Sequence, residues 1–222
     1  GVSLRSFRAE KLSAFVHALL IFDEKAANLY EEIKDNYPIM LTRDMEKAKE
    51  WLHKKVRGTE RTGVLVTKEA ARYKPLGVHI LQTGDENAVH WFLEDKSDIR
   101  SSNYLEDAAT EIQVQGLELD YTCLLWDADM RYQDGKWRYY RFNGQTKWVE
   151  QIDNSESKHE QMRYMLNAYR VLLTRARAGM VICVPDGNAN KTASGFWEDS
   201  TRLPEYYDGT YQYLKGLGLE EI

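Results

Sequence analysis

An α/β fold built on a parallel sheet is predicted from three features of this 222-residue sequence. Short continuous apolar runs recur without alternation, at Ile39–Leu41, Val64–Val66, Tyr121–Trp126 and Met180–Val184, as strands covered on both faces do. Stretches of helical periodicity lie between them, and strands alternating with helices are the signature of the class. The composition is globular, 43% hydrophobic and 29% charged with 14 Gly and 4 Pro, and the chain is long enough to bury a substantial core.

Taken in order, the first helix is predicted from the stripe Leu12, Phe15, Val16, Leu19 and Leu20, and the second from Ala26, Leu29, Tyr30 and Ile33. The strand Ile39–Leu41 follows. Met45, Ala48, Leu52 and Val56 mark a third helix, with Thr42 as its N-cap and Gly58 as its stop. Residues 126–148, WDADMRYQDGKWRYYRFNGQTKW, hold two aromatic-rich runs around Asp134-Gly135 and read as an antiparallel hairpin extending from one end of the sheet. The next helix opens on a capping box, Ser157 with Glu160. It carries Met162, Met165, Leu166, Tyr169, Leu172 and Leu173 on one face and ends before Gly179. Residues 186–203 form a polar loop, and a short helix is expected around Thr210–Leu217. There are no internal repeats. Residues 1–185 are read as the main domain, with 186–222 packing back onto it.

Charge and motifs narrow the function. A net charge of −5 and a pI near 5.6 provide no global basic footprint, so a polyanion would have to meet a local patch. No apolar run approaches the roughly 20 residues that span a bilayer, and the N-terminus GVSLRSFRAEK is not a signal peptide. The abrupt start without Met suggests a piece of something longer. Cys123 and Cys183 lie inside apolar runs and are read as buried, reduced thiols of a cytoplasmic protein. The five histidines are scattered, HExxH, GxSxG and CxxC are missing, and no metal site is predicted. Asp127 and Asp129 could bind a cation but are read as the flank of the hairpin. The phosphate-cradling GxxxxGK[ST] loop is missing too, leaving no visible grip on a β-phosphate and Mg²⁺.

Three stretches remain. SLRSFRAEKL (3–12) sets Arg5 and Arg8 just ahead of a helix. ATEIQVQGLELDYTCLLW (109–126) is a polar turn carrying Gln115-Gly116-Leu117-Glu118 before a buried strand. NAYRVLLTRARAGMVICVP (167–185) is a helix end bearing Arg175 and Arg177, then an apolar strand. From Gln161 to Pro185 there are four arginines and no carboxylate, whereas Ser101–Met130 holds seven Asp/Glu and no Lys or Arg. Each stretch alone has a plain reading: cations at the negative end of a helix dipole, a glycine turn, a surface charge. The aromatics of 126–148 fit cross-strand packing better than base stacking.

Together, SFRAE (6–10), TEIQVQGLEL (110–119) and YRVLLTRAR (169–177) resemble motifs IV, V and VI of the second motor domain of superfamily-one helicases. The wider wording is similar to the Schlafen group 3-like DNA/RNA helicase domain family of prokaryotic proteins, over nearly the whole chain. The resemblance implies a RecA-like, P-loop NTPase-type second domain lacking the Walker A loop. Its ATP and Mg²⁺ would be held mainly by a RecA-like domain upstream, so this fragment alone would be inactive. Arg175 matches the motif VI arginine finger and Arg8 the motif IV arginine, with Arg5 as its fallback. Gln115, Gly116 and Glu118 are implied near the nucleotide, Glu118 at the ribose. Thr110 and Gln113 are implied near single-stranded DNA or RNA, and Ile112 replaces the usual motif V histidine. A finger of this kind stays available only while unpaired with protein carboxylates, which an acid-free neighbourhood would ensure. The competing reading is a non-catalytic module that binds nucleic acid or protein through the aromatic hairpin.

Overall fold

The computed structural model describes residues 4–82, 84, 86–144, 147–151 and 156–222, leaving out the side chains of 4–7 and 156–158. The side chains of Arg5 and of the predicted Ser157 cap therefore lie outside the described ones. Helix α1 (Leu4–Ile21) buries the predicted stripe Leu12, Phe15, Val16, Leu19 and Leu20. It contains no Gly or Pro and starts at Leu4, so Arg8 sits within the helix rather than ahead of it. Helix α2 (Ala26–Ile33) and strand β1 (Ile39–Thr42) come next.

Helix α3 (Met45–Lys55) starts later than predicted. Its N-cap is Asp44, whose Oδ1 accepts from the amides of Glu46 at 2.8 Å and Lys47 at 3.3 Å. Thr42 instead ends β1, and its hydroxyl accepts the Asp44 amide at 3.2 Å. The chain continues through β2 (Thr62–Val66), β3 (His79–Ile80), α4 (Asn87–Leu93), β4 (Asp107–Thr110) and β5 (Leu119–Leu125). Strands β6 (Met130–Gln133), β7 (Lys136–Asn143) and β8 (Lys147–Glu150) precede α5 (Glu156–Leu172), β9 (Ala176–Cys183), α6 (Asp208–Gly216) and β10 (Glu220–Glu221).

Seven strands form one parallel sheet in the order β10-β1-β9-β5-β2-β4-β3. Its strands alternate between two cores, which is why their sequences do not alternate in polarity. Leu41, Leu65, Leu124 and Ile182 join Phe15 and Leu19 of α1 and Leu172 of α5. Met40, Val64, Cys123, Val181 and Cys183 pack on the other side with Ala48 and Leu52 of α3. Both thiols are buried, as expected. The class and arrangement are those predicted: a mostly parallel sheet flanked by helices, with a small antiparallel one attached.

That smaller sheet, β6-β7-β8, has one strand more than the predicted hairpin. Asp134 and Gly135 both take positive φ, 52° and 75°, which a tight two-residue turn between twisted strands requires. Its aromatics are spent on packing. Trp137 donates its indole N–H to the Leu20 carbonyl at 3.0 Å, and Tyr132 stacks on Tyr213 of α6 at 4.7 Å. Trp126 lies 5.5 Å from Trp137 and 4.2 Å from Tyr169 of α5, joining both sheets to the helix that carries the arginines. A ring surface for binding, the basis of the competing reading, is thus largely consumed.

Asp127 and Asp129 flank the hairpin, as read from the sequence, and are buried hubs of hydrogen bonds. Asp127 accepts from the Arg72 amide at 2.9 Å and the Tyr207 hydroxyl at 3.1 Å. Asp129 accepts from the Tyr169 hydroxyl at 2.7 Å and from the Thr67 hydroxyl. Burial, reinforced by the charge of Asp127, pushes Asp129 from an ordinary 3.8 up to about 7. The folded chain therefore holds this proton more tightly than the unfolded chain. The contribution to stability is complete below about pH 4 and is lost as pH rises through about 7. Asp129→Asn keeps a neutral side chain there, so its denaturant-measured stability is expected to fall less between pH 4 and pH 7 than that of the wild type. Equal slopes for the two proteins would refute the buried-proton assignment.

Candidate functional site

With both sheet faces covered, binding chemistry falls to the strand ends. In open α/β sheets, ligands ordinarily sit beyond the carboxyl ends. Here, beyond the carboxyl end of β1, Asp44 already occupies the first amides of α3, where a phosphate would otherwise bind. Beside it, Arg43 donates to Asp208 at 2.9 Å and to the Pro185 carbonyl at 3.0 Å, and its guanidinium lies 4.0 Å from the Tyr211 ring centre.

A cleft of about 440 Å³ opens instead at the amino ends of β1, β9 and β5. Arg8 and Leu12 reach it from α1, Tyr37 from just before β1, and Glu118 from just before β5. The α5–β9 junction contributes Arg170, Arg175 and Arg177. The junction is built locally. Helix α5 stops at Leu172, and the Thr174 hydroxyl folds back to donate to the carbonyls of Arg170 (2.8 Å) and Val171 (3.1 Å). Arg175 then donates from Nε to the Val171 carbonyl at 3.2 Å and from Nη1 to the Leu117 carbonyl at 3.4 Å. One bond satisfies an orphan carbonyl of the helix end, and the other ties the arginine to the turn before β5. The backbone carbonyl of Arg175 accepts the Leu119 amide at 3.1 Å. Tyr37, fully buried, donates its hydroxyl to the Ala176 carbonyl at 2.9 Å. Burial raises this phenol far above its ordinary range, so it stays a donor.

The cleft is electropositive. Four guanidiniums line it, and Glu118 is the only carboxylate among the lining residues. Among the described residues no carboxylate pairs with Arg8, Arg170 or Arg175. Arg177 differs: Nη2 lies 2.7 Å from Asp120, which also accepts the Arg61 amide at 2.7 Å. The acid-free neighbourhood expected from the sequence therefore fails at Arg177, because β5 brings Asp120 alongside β9.

The structure thus gathers Arg8, Glu118 and Arg175 from three distant segments. Gln115 and Gly116 lie exposed on the adjoining turn and do not line the cleft. Gly116 takes φ +82°, the left-handed conformation that glycine adopts without strain. Thr110 and Gln113 do not line it either. Thr110 is buried; its amide donates to Gln113 Oε1 at 2.8 Å, its hydroxyl bonds the same oxygen, and Gln113 Nε2 donates to the Leu81 carbonyl at 3.3 Å. The pair braces the turn from inside. Among the described residues, no three His, Cys, Asp or Glu gather to hold a metal ion, and no helix is long and apolar enough to cross a membrane. Sequence reading missed Tyr37 and Arg170 as parts of this cleft, and Asp120 as the partner of Arg177 behind it. Only Arg170 left a trace, as one of the four arginines in an acid-free stretch.

The family model described as "Schlafen group 3, DNA/RNA helicase domain" matches residues 1–186. No curated protein and no solved structure matches the chain. Since the Tyr37 hydroxyl fixes the residue that follows Arg175, Tyr37→Phe is expected to cost about 1–2 kcal/mol in denaturant-measured stability by orphaning a buried carbonyl.

Proposed function

The chain belongs to the Schlafen group 3 DNA/RNA helicase domain family, and from that premise we propose that it works as the second, RecA-like motor domain of an ATP-dependent helicase or translocase. The observation that carries this reading is the meeting of Arg8, Arg175 and Glu118 in one electropositive cleft at the amino edge of the sheet. That edge has guanidiniums for phosphate oxygens but no glycine-rich cradle, and the place where a phosphate would otherwise seat, the start of α3, is closed by Asp44. Such a half-site suits a domain that completes a nucleotide pocket built mainly by a partner domain upstream, which would hold ATP and Mg²⁺. Alone, this chain would not turn ATP over.

In this reading Arg175 is the arginine finger. A guanidinium is planar, permanently charged and forked, so it stabilises charge spreading over the oxygens of a phosphoryl group in transfer. Its two carbonyl anchors hold the group in place without neutralising it, unlike a carboxylate. Arg8 adds a second cation from α1, and Glu118, which lines the same cleft, would accept from a ribose hydroxyl. Gln115 and Gly116 border the nucleotide from the neighbouring turn. Thr110 and Gln113 act on a bound single strand of DNA or RNA through the turn that they brace. Closure of the two domains around the nucleotide would move that strand.

In the protein that includes the upstream nucleotide-binding domain, Arg175→Ala is expected to lower ATP hydrolysis on the order of 10³-fold while nucleotide binding persists. Turnover that survives the substitution would remove the mechanism.

A further inference from the structure

Arg170 lies outside the three matched arginine and glutamate positions, yet it faces the same cleft. It sits in the last turn of α5, five residues before Arg175, and is half-buried. Its only described side-chain bond runs from Nη1 to the amide oxygen of Asn167, a neutral acceptor that leaves its charge unbalanced. Arg8, exposed on α1, is likewise without a carboxylate among the described residues. Arg177 is engaged with Asp120. Among the described residues, the cleft therefore holds three guanidiniums for which no carboxylate pairing is seen and one that is already matched, in a volume typical of a small-molecule pocket.

We propose that Arg170 is a third phosphate-contacting arginine of this cleft, forming with Arg8 and Arg175 a cradle for a polyphosphate chain. This rests on the nucleotide reading above and extends it: three separate cations match the several charged oxygens of a triphosphate tail, which a single finger would not cover. A helix-end cation whose only task is to offset the helix dipole would need no cleft in front of it. Arg170 is instead placed where a forked donor can share a second phosphoryl group with Arg175.

The test is calorimetric titration of the 222-residue chain with inorganic tripolyphosphate at low ionic strength, with thermal melts to verify folding. Saturable binding is expected, weakened about tenfold or more by Arg170→Gln and by Arg175→Gln, and partly restored in Arg170→Lys. Arg177→Gln removes the same formal charge at a residue already paired, so its effect should stay under about twofold. If Arg170→Gln binds like the wild type while Arg175→Gln loses the anion, Arg170 has no such role and the cleft reading survives. If neither variant matters, or the wild type binds nothing, both fail. A loss in Arg177→Gln as large as in Arg170→Gln reduces the effect to overall charge and overturns the cradle. Displacement of tripolyphosphate by a short single-stranded oligonucleotide acting through the same arginines would reassign the cleft to a nucleic-acid backbone, which also overturns it.

Discussion

A parallel sheet packed on both sides offers no face to a ligand. Leu41, Leu65, Leu124 and Ile182 disappear beneath α1 and α5, while Met40, Val64, Cys123 and Val181 disappear against α3. Every polar group with a task must therefore stand where a strand begins or ends. At the end of β1 the Asp44 side chain takes the first amides of α3, and Arg43 is matched by Asp208. At the beginnings of β1, β9 and β5 the opposite has happened: Tyr37, Arg175 and Glu118 each stand one or two positions before a buried strand. The cleft is a by-product of adjacent strands starting together under the first turns of α1.

Electrostatics inside the cleft depend on who the neighbours are in space, not along the chain. Arg175 and Arg177 are two residues apart, yet Arg175 meets two backbone carbonyls and Arg177 meets a carboxylate. A carbonyl orients a guanidinium and leaves its charge in play. A carboxylate cancels it. Neighbours in space also decide Asp129: burial and the nearby Asp127 hold its proton to near neutral pH, against the hydroxyls of Thr67 and Tyr169, which favour the carboxylate.

The sequence announced its long elements well and its short ones poorly. The apolar runs that became β1, β2, β5 and β9 were visible because both faces of those strands are buried. Strand β4, Asp-Ala-Ala-Thr, was invisible because small residues suffice where neighbours press close. Two-residue strands such as β3 cannot produce a pattern at all. The N-cap was misassigned to Thr42 because two polar residues compete there, and the better acceptor, Asp44, lies two positions later. In the cleft, Arg8, Glu118 and Arg175 were legible as parts of motifs. Tyr37, and the Asp120 that pairs with Arg177, were not, since their partners, the Ala176 carbonyl and Arg177, come from strands that only the fold brings alongside. The aromatics of 126–148 pack as their pattern indicates, but what they cover, α1 and α6, is remote in sequence and so was not legible.

The sheet has two open borders. Its outermost members, β10 and β3, are two residues long. An unpaired border is where another polypeptide can add itself, backbone to backbone, and stubs this brief provide too few rungs for such an addition to hold. Brevity at both borders thus guards the sheet against edge-to-edge pairing between copies.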